Sequence, residues 1–577
     1  MPYKKYARKY WIGFAVAIFF LMFETAADLM MPTILANIID KGIAYNDLDY
    51  VLQMGVFMLL ITASGAVSSL IRNVISSRVS YKFGAELRSD LFAKIGSMSF
   101  ENIDKFERAS LITRMTNDVM IVQNFFHGLM RIFVKAPMLG IGALIMAVRL
   151  NPDLAVVLIV VVPIVAILVT FNMKIGFARY MKVQQSLDRI NLIVREYLSG
   201  VRVVKAFNRY DYEVDKFNLA NEEQRSSSVH AMRAMVVFNP AIMLTVNLGI
   251  VVIIWLGGLW VDTRQMPVGH IVAFINYMTQ VLFSLMAISM VFNMFVRARA
   301  STARIGEVFS QINTMTWKVD EPVHLNIQGK IDFEKVSFSY TGAAYSSVLK
   351  NVSLTFTPGK TVGIIGSTGS GKSSLAGLIP RFYDAVSGSV KIDNKDVKDL
   401  NPARLREEIA IVPQKSVLFT GTIMENIRWG NEQASFEEIQ QAAVTAEAHD
   451  FISALPEGYE SRLGQKGVNL SGGQKQRISI ARALVRKPKI LILDDCTSAV
   501  DTAAESKIKQ ALKNYTHGLT CIIIAQRITS VIDADTIVVM DLGEVVGVGS
   551  HKSLMKECRI YQEIFESQVG KEMIDHG

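Results

Sequence analysis

GSTGSGKS, running from Gly366 to Ser373, decides how the second half of this 577-residue chain folds. It fits the pattern G-x-x-x-x-G-K-[ST]. The apolar run Thr361–Ile365 precedes it, and a helical pattern begins at Ser374. A strand, a glycine-rich turn and a helix N-terminus together form a cradle of backbone N–H groups that suits phosphate. Gly366, Ser367, Thr368, Gly369, Ser370 and Gly371 would line that cradle, and Ser374 would open the helix. Lys372 would reach the terminal phosphates, and Ser373 would ligate magnesium.

Two further motifs lie downstream. KILILDD, Lys489–Asp495, reads as a buried strand ending in carboxylates. In P-loop proteins a strand-end Asp holds magnesium, and Asp494 fits that place. Asp495 follows, where the general base or water-positioning group of a nucleotide hydrolase would sit. LSGGQKQR, Leu470–Arg477, sets Leu470, Ser471, Gly472, Gly473 and Gln474 at a helix start, a second phosphate nest. A serine there is also ordinary N-cap chemistry, so this motif takes its meaning from the other two. The segments KIDFEKVSFSY, VSLTF, TVGIIG and SVKIDN are short, β-rich and separated by turn signals. Residues from about 321 therefore read as an α/β domain with an antiparallel β addition at its start.

The first half is different in kind. Half of all residues are apolar, before the 38 glycines are added. An ordinary soluble enzyme is excluded by that content, as are disordered, collagen-like and fibrous proteins. Six stretches read as membrane spans: 11–33, 50–71, 125–149, 153–172, 235–261 and 268–295. The basic stub MPYKKYARKY precedes the first. That first run is long, contains acids and lacks a clear cleavage site, so it reads as a span rather than a signal peptide. Three cysteines, at 496, 521 and 558, form neither a disulfide framework nor a zinc site.

Charge gives the orientation. Residues 1–320 hold 32 Lys+Arg and 22 Asp+Glu, whereas residues 321–577 hold 29 and 30. The long loops 72–124 and 172–233 carry eight and eleven Lys+Arg; the short loops carry Lys41, Arg149 and Arg264. The positive-inside rule then places both termini and both long loops in the cytoplasm. Nucleic acid is not needed to explain the +9 net charge. Both long loops show helical periodicity, so spans two to five should run on as helices, turning at Ser99–Arg108 and Phe207–Phe217. Glu24 and Asp28 lie four apart in span one, and Arg131 and Lys135 four apart in span three. Counting depth from those span limits puts the acids in the outer part and the bases nearer the cytoplasm, which argues against pairing them. Whether these four residues face a substrate or one another stays open in the sequence. Pro137, Pro163 and Pro240 are candidate kinks.

These parts together resemble the ATP-binding cassette exporters, as a half-transporter with one membrane domain fused to one nucleotide-binding domain. The resemblance covers nearly the whole chain. It rests on the spans, the helical excursions, Gly366–Ser373, Gln414 in VPQ, Leu470–Gln474, Asp494 and SAVD at Ser498–Asp501. It implies an all-α six-helix transmembrane domain (1–310), a linker (311–330) and an α/β P-loop nucleotide-binding domain (331–577). It implies ATP and Mg2+ as ligands, with Tyr340 stacking on adenine and Ser373, Gln414 and Asp494 at the metal. It implies a dimer in which each ATP takes its Walker motifs from one chain and the LSGGQ serine and glycines from the other, with Asp501 also among the nucleotide-binding residues.

Two positions depart from the family pattern. Asp495 replaces the usual Glu, and Gln526, in IIAQRI, replaces the switch His. A weaker departure is Gln465, where many exporters have Glu. The Asp side chain is one methylene short, and a ~1 Å misplacement can cost ~10²-fold in rate. Glutamine can hydrogen-bond a phosphate but cannot carry the imidazole's proton. The expectation is a site that binds ATP and hydrolyses it poorly. An intact LSGGQ would complete the active site of a second, related half-transporter. The function expected is export of amphipathic compounds, drugs or lipids, across a cytoplasmic membrane. The alternatives are an ATP-sensing regulatory subunit and uptake on the same fold.

Overall fold

The computed structural model describes residues 3–263, 265–315, 327–340, 347–496, 502–515 and 518–569. Contacts divide the chain into two units: Met1–Gly96 with Glu107–Gln311, and Ser97–Phe106 with Ile312–Gly577.

The first unit is all helical. Helix α1 (Tyr3–Asn37) runs on through a π turn, Ile38–Ile43. Helix α2 spans Leu48–Gly96, and the short α3 (Phe100–Asp104) follows it in the second unit. Helix α4 (Arg108–Leu150) contains two π turns, Arg114–Asp118 and Leu129–Phe133. Helices α5 (Pro152–Ala206), α6 (Tyr210–Asp262) and α7 (Val268–Ser310) complete it. All six long helices are long and apolar enough to cross a membrane, and the chain is a multi-pass membrane protein. Asn151 alone separates α4 from α5. Its side-chain oxygen accepts from the N–H groups of Asp153 and Leu154 at 3.0 and 3.1 Å, a cap that lets Pro152 begin the next helix. The buried core joins Leu154 and Leu158 of α5, Ile253 of α6, and Phe274 and Tyr277 of α7.

The prolines behave by position. Pro137 and Pro240 lie inside α4 and α6, three residues after Val134 and Val237, single residues of helical backbone at which the hydrogen-bond ladder is interrupted because the proline has no N–H to give. Pro163 sits within α5. The turn between α5 and α6 is tighter than the eleven-residue segment read from sequence. Only Phe207–Arg209 leaves the helix, and Phe217 is already part of α6. Asn208 takes the left-handed conformation, φ +50°, that closes so short a turn.

The acids and bases in the spans do meet, contrary to the depth argument. Glu24 accepts from Arg72 Nε at 2.7 Å, and Lys135 Nζ lies 2.7 Å from Glu24 and 2.9 Å from Asp28. The error lay in the span limits. Asp28 stands fifteen residues before the end of α1 at Ile43, and Lys135 fifteen before the end of α4 at Leu150. Measured from the short-loop ends the two are level, ~22 Å along each helix. Arg72, the first residue of the 72–124 stretch, lies inside α2 and is buried. Arg131 is exposed and stands outside this network.

The second unit is α/β. A four-stranded antiparallel sheet, in the order β2-β1-β4-β5, comprises β1 (Ile331–Phe338), β2 (Leu349–Phe356), β4 (Ser387–Ile392) and β5 (Lys395–Asp396). The core sheet has six strands in the order β12-β11-β3-β10-β9-β6. Its members are β3 (Thr361–Gly366), β6 (Ile409–Val412), β9 (Ile490–Asp494), β10 (Thr520–Ile524), β11 (Thr536–Asp541) and β12 (Glu544–Gly549). Strands β7 (Gly421–Thr422) and β8 (Arg462–Leu463) form a small separate pair. All core strands pair parallel except β12. Apolar runs such as ILIL (490–493) and TCIII are buried on both faces, as parallel sheets require. Gly366, Asp494 and Ile524 therefore end three adjacent parallel strands, β3, β9 and β10, at one edge, where open α/β sheets bind ligands.

Candidate functional site

The turn after β3 is held by its lysine. Lys372 is buried, and its ammonium donates to the Gly366 carbonyl at 2.9 Å, the Ser367 carbonyl at 2.7 Å and Ser370 Oγ at 3.3 Å. Lys372 opens helix α8 (Lys372–Leu378), with Gly371 before it at φ +92°. A side chain at Gly371 would be strained by that φ and would put Cβ 2.8 Å from the Val348 carbonyl. At Gly366 a Cβ would lie 2.0 Å from the Met540 carbonyl, so glycine is required by close approach. Thr368 and Gly369 fall in the same turn, Gly369 at φ +85°. Burial lowers the Lys372 ammonium's pKa, and the carboxylates of Asp495 and Asp494 oppose that shift.

The strand-end carboxylates face this turn. Ser373 Oγ donates to Asp494 Oδ1 at 2.9 Å, and burial raises the Asp494 carboxyl above its usual range. Hydroxyl, carboxylate and the amide oxygen of Gln414 are the hard oxygen donors magnesium prefers, with phosphate and water left to complete the shell. Among the described residues no cluster of three or more His, Cys, Asp or Glu could cage a metal alone. This donor set fits a cation that arrives with a phosphate.

Asp495 adopts φ +46°, and its N–H donates to the Ile524 carbonyl at 2.8 Å. Its Oδ2 accepts from Gln414 Nε2 and from Gln526 Nε2, each at 2.9 Å. The two residues that depart from the family pattern are thus bonded to each other, and Gln414 joins them on the same oxygen. Both amides engage the same oxygen of the Asp495 carboxylate.

Tyr340, two residues beyond β1, is partly exposed and sets its hydroxyl 3.0 Å from Ser374 Oγ in the first turn of α8. Its ring is therefore presented beside the phosphate turn. Leu470–Gln474 stand elsewhere. Ser471 caps the helix α9 (Gly472–Leu484) by accepting from Gln474 N–H, and the Gln474 side chain returns to the Ser471 N–H at 2.9 Å. This reciprocal capping box fixes the backbone of Ser471, Gly472 and Gly473. Its bonds are local and do not reach Gly366–Ser373. Gln465 opens a short 3-10 turn ahead of it. Asp501, with Ser498–Val500, lies outside the described residues.

Sequence reasoning missed two contributors. Arg72 could have been found as a cation continuing the helical face of an apolar run. Tyr383, in RFYD, carries no motif signal, yet its hydroxyl donates to Asp104 Oδ2 at 2.7 Å.

Residues 14–285 match the family model described as ABC transporter transmembrane region, and residues 349–498 that described as ABC transporter. The uncharacterised ABC transporter ATP-binding protein YfiB of Bacillus subtilis (strain 168) is 40% identical, over 96% of each chain. An uncharacterised ABC transporter ATP-binding protein of Mycobacterium tuberculosis (strain CDC 1551 / Oshkosh) is 35% identical, over 98% of this chain and 97% of its own. The solved structure of a bacterial Atm1-family ABC exporter with ATP bound superposes with a TM-score of 0.79. It is 26% identical and covers 98% of this chain and 99% of its own.

Proposed function

The chain belongs to the ABC transporter family, as an exporter-type half-transporter with a transport-coupled ATPase, and from that premise we propose its substrate class, partner and division of labour. It exports amphipathic or hydrophobic compounds, drugs or lipids, across the cytoplasmic membrane, with both termini on the cytoplasmic side. It works as one half of a heterodimer with a related half-transporter. Residues 1–310 form the membrane domain, 311–330 the linker and 331–577 the nucleotide-binding domain.

The observation that carries this reading is the bonding of Asp495. ATP would rest on Tyr340 and in the Gly366–Ser374 turn, with Lys372 at its terminal phosphates. Ser373, Asp494 and the amide oxygen of Gln414 would hold Mg2+, which when bound neutralises phosphate charge. Every one of those groups is present. What is altered is the group that should take a proton from water. Asp495 is short, and its Oδ2 already accepts two amide hydrogens. Gln526 gives a hydrogen bond but moves no proton. Binding is preserved and hydrolysis at this chain's own Walker site is slow. Ser471, Gly472 and Gly473, fixed by their capping box, are offered to the partner's ATP, with Leu470, Gln474 and Asp501 beside them.

Glu24 and Asp28 do not favour cationic substrates, because Arg72 and Lys135 already neutralise them. The test of export is ATP-dependent efflux of a lipophilic dye from inverted membrane vesicles carrying both chains. Dye accumulation that needs ATP supports the reading. ATP binding with no dye movement points instead to a regulatory subunit.

A further inference from the structure

Gln526 is held by its backbone as well as by its side chain. Beyond β10 the chain leaves the sheet at Ala525 and enters a single 3-10 turn, Ile528–Ser530. Gln568 closes on this segment. Its Nε2 donates to the Gln526 carbonyl and its Oε1 accepts from the Ile528 N–H, each at 2.8 Å. One side-chain amide thus engages the main chain on both sides of Arg527. The Ile528 N–H opens the 3-10 turn, where helical bonding leaves a donor over, and Ile528 is buried. Gln568 supplies the acceptor that this donor needs.

The helix that carries Gln568 is firmly placed. Helices α10 (His551–Glu557) and α11 (Arg559–Val569) follow β12. His551 Nδ1 lies 2.8 Å from the Tyr561 hydroxyl, and Gln562 Nε2 donates to the Met555 carbonyl at 2.7 Å, so α11 is pinned to α10. Tyr561 is fully buried in one apolar cluster with Ala525 and Ile528, which flank Gln526. Ile564 and Phe565 pack against the same cluster. Positions 561, 564, 565 and 568 share one helical face. Apolar side chains fill the first three, and the amide of Gln568 ends the row at the exposed Gln526.

We propose that Gln568 is a positioning residue for position 526. Its amide fixes the backbone from which Gln526 Nε2 reaches Asp495 Oδ2 at 2.9 Å. This rests on the reading that Asp495 and Gln526 stand at the hydrolysing end of the Walker site. Both bonds go to main-chain atoms, so the clamp is indifferent to the side chain at 526 and would hold a histidine there as it holds glutamine. A side chain 42 positions along the chain therefore sets where the group at 526 stands.

Two measurements test this. The first is hydrogen exchange in the purified full-length chain without nucleotide. Gln568→Met keeps the length of the side chain and removes both hydrogen bonds. It should speed exchange of the 526–530 amides about tenfold, the scale of one to two ordinary net hydrogen bonds, and leave the β10 amides unchanged. Gln568→Glu keeps the acceptor for Ile528 and loses the donor, and should fall between. The second is ATP turnover by the complex with the partner, the partner's own site disabled, in a chain carrying Asp495→Glu and Gln526→His. Adding Gln568→Met should lower kcat about tenfold and leave KM for ATP unchanged, because a displaced group at 526 touches the chemical step and not the seating of ATP. Unchanged exchange at 526–530 overturns the clamp. Faster exchange there with kcat unchanged overturns the positioning role. Faster exchange in β10 as well, or a loss of ATP affinity as large as the loss in kcat, makes Gln568 a packing residue and overturns it too. No gain from Asp495→Glu with Gln526→His overturns the reading of the site and the positioning role with it, while the exchange result alone judges the clamp.

Discussion

Replacing Asp495 by Glu and Gln526 by His together should raise ATP turnover at this chain's own Walker site about 100-fold, when the site is completed by an intact partner signature. The argument is geometric. In the wild-type chain one carboxylate oxygen receives two amide donors at 2.9 Å each, from Gln414 and Gln526. Those donors hold the carboxylate against the amides of residues 414 and 526. The extra methylene of Glu carries the carboxylate past the amide of residue 414 toward the attacking water. Histidine at 526 removes the second amide. The single change Asp495→Glu should give only part of the gain, because Gln526 would still occupy the carboxylate. Steady-state phosphate release by the reconstituted complex, with the partner's own site disabled, reads the effect. Equal rates in wild type and double variant would remove the structural basis of the slow site.

Glu24→Ala should destabilise the membrane unit by about 3–5 kcal/mol, the size expected when one member of a buried ion pair is removed. Glu24 is shared by Arg72 and Lys135, and both the Arg72 and Glu24 side chains are buried. Removing the carboxylate strands the Arg72 guanidinium among apolar helices. Lys135 fares better, because Asp28 remains 2.9 Å away. Hence Glu24→Leu combined with Arg72→Leu should recover most of the loss. The midpoint of thermal unfolding in nanodiscs measures this, as a fall of several degrees for the single change and a smaller one for the pair. Exposed pairs such as Lys5–Asp90 should show no such effect when broken.

Much of this architecture is legible from residues alone, for reasons that can be named. Uncharged runs such as Leu154–Phe171 are legible as spans, and Gly366–Ser373 as a glycine-rich turn from strand to helix, because each meets a strong local constraint. Limits and partners are less legible. The helices outrun the apolar stretches at both ends, since a helix has no reason to stop where lipid does. That hid Arg72 inside α2 and misplaced Lys135 relative to Glu24. Ser97–Phe106 lies between two membrane helices in sequence, yet it packs with the nucleotide-binding unit through Phe100, Asn102 and Asp104. No periodicity encodes that allegiance. The shared bonding of Asp495 by Gln414 and Gln526 spans 112 positions, and only the parallel strand ends bring the three together.

The central claim is that this chain binds ATP while its partner hydrolyses it. The most direct measurement is steady-state ATP turnover by the purified pair, in which the partner's catalytic Glu is replaced by Gln, beside a pair carrying Asp495→Asn in this chain. The account predicts that turnover is abolished by the partner's substitution and is nearly unchanged by Asp495→Asn. Turnover that survives the partner's substitution, or brisk turnover by this chain alone, would contradict it.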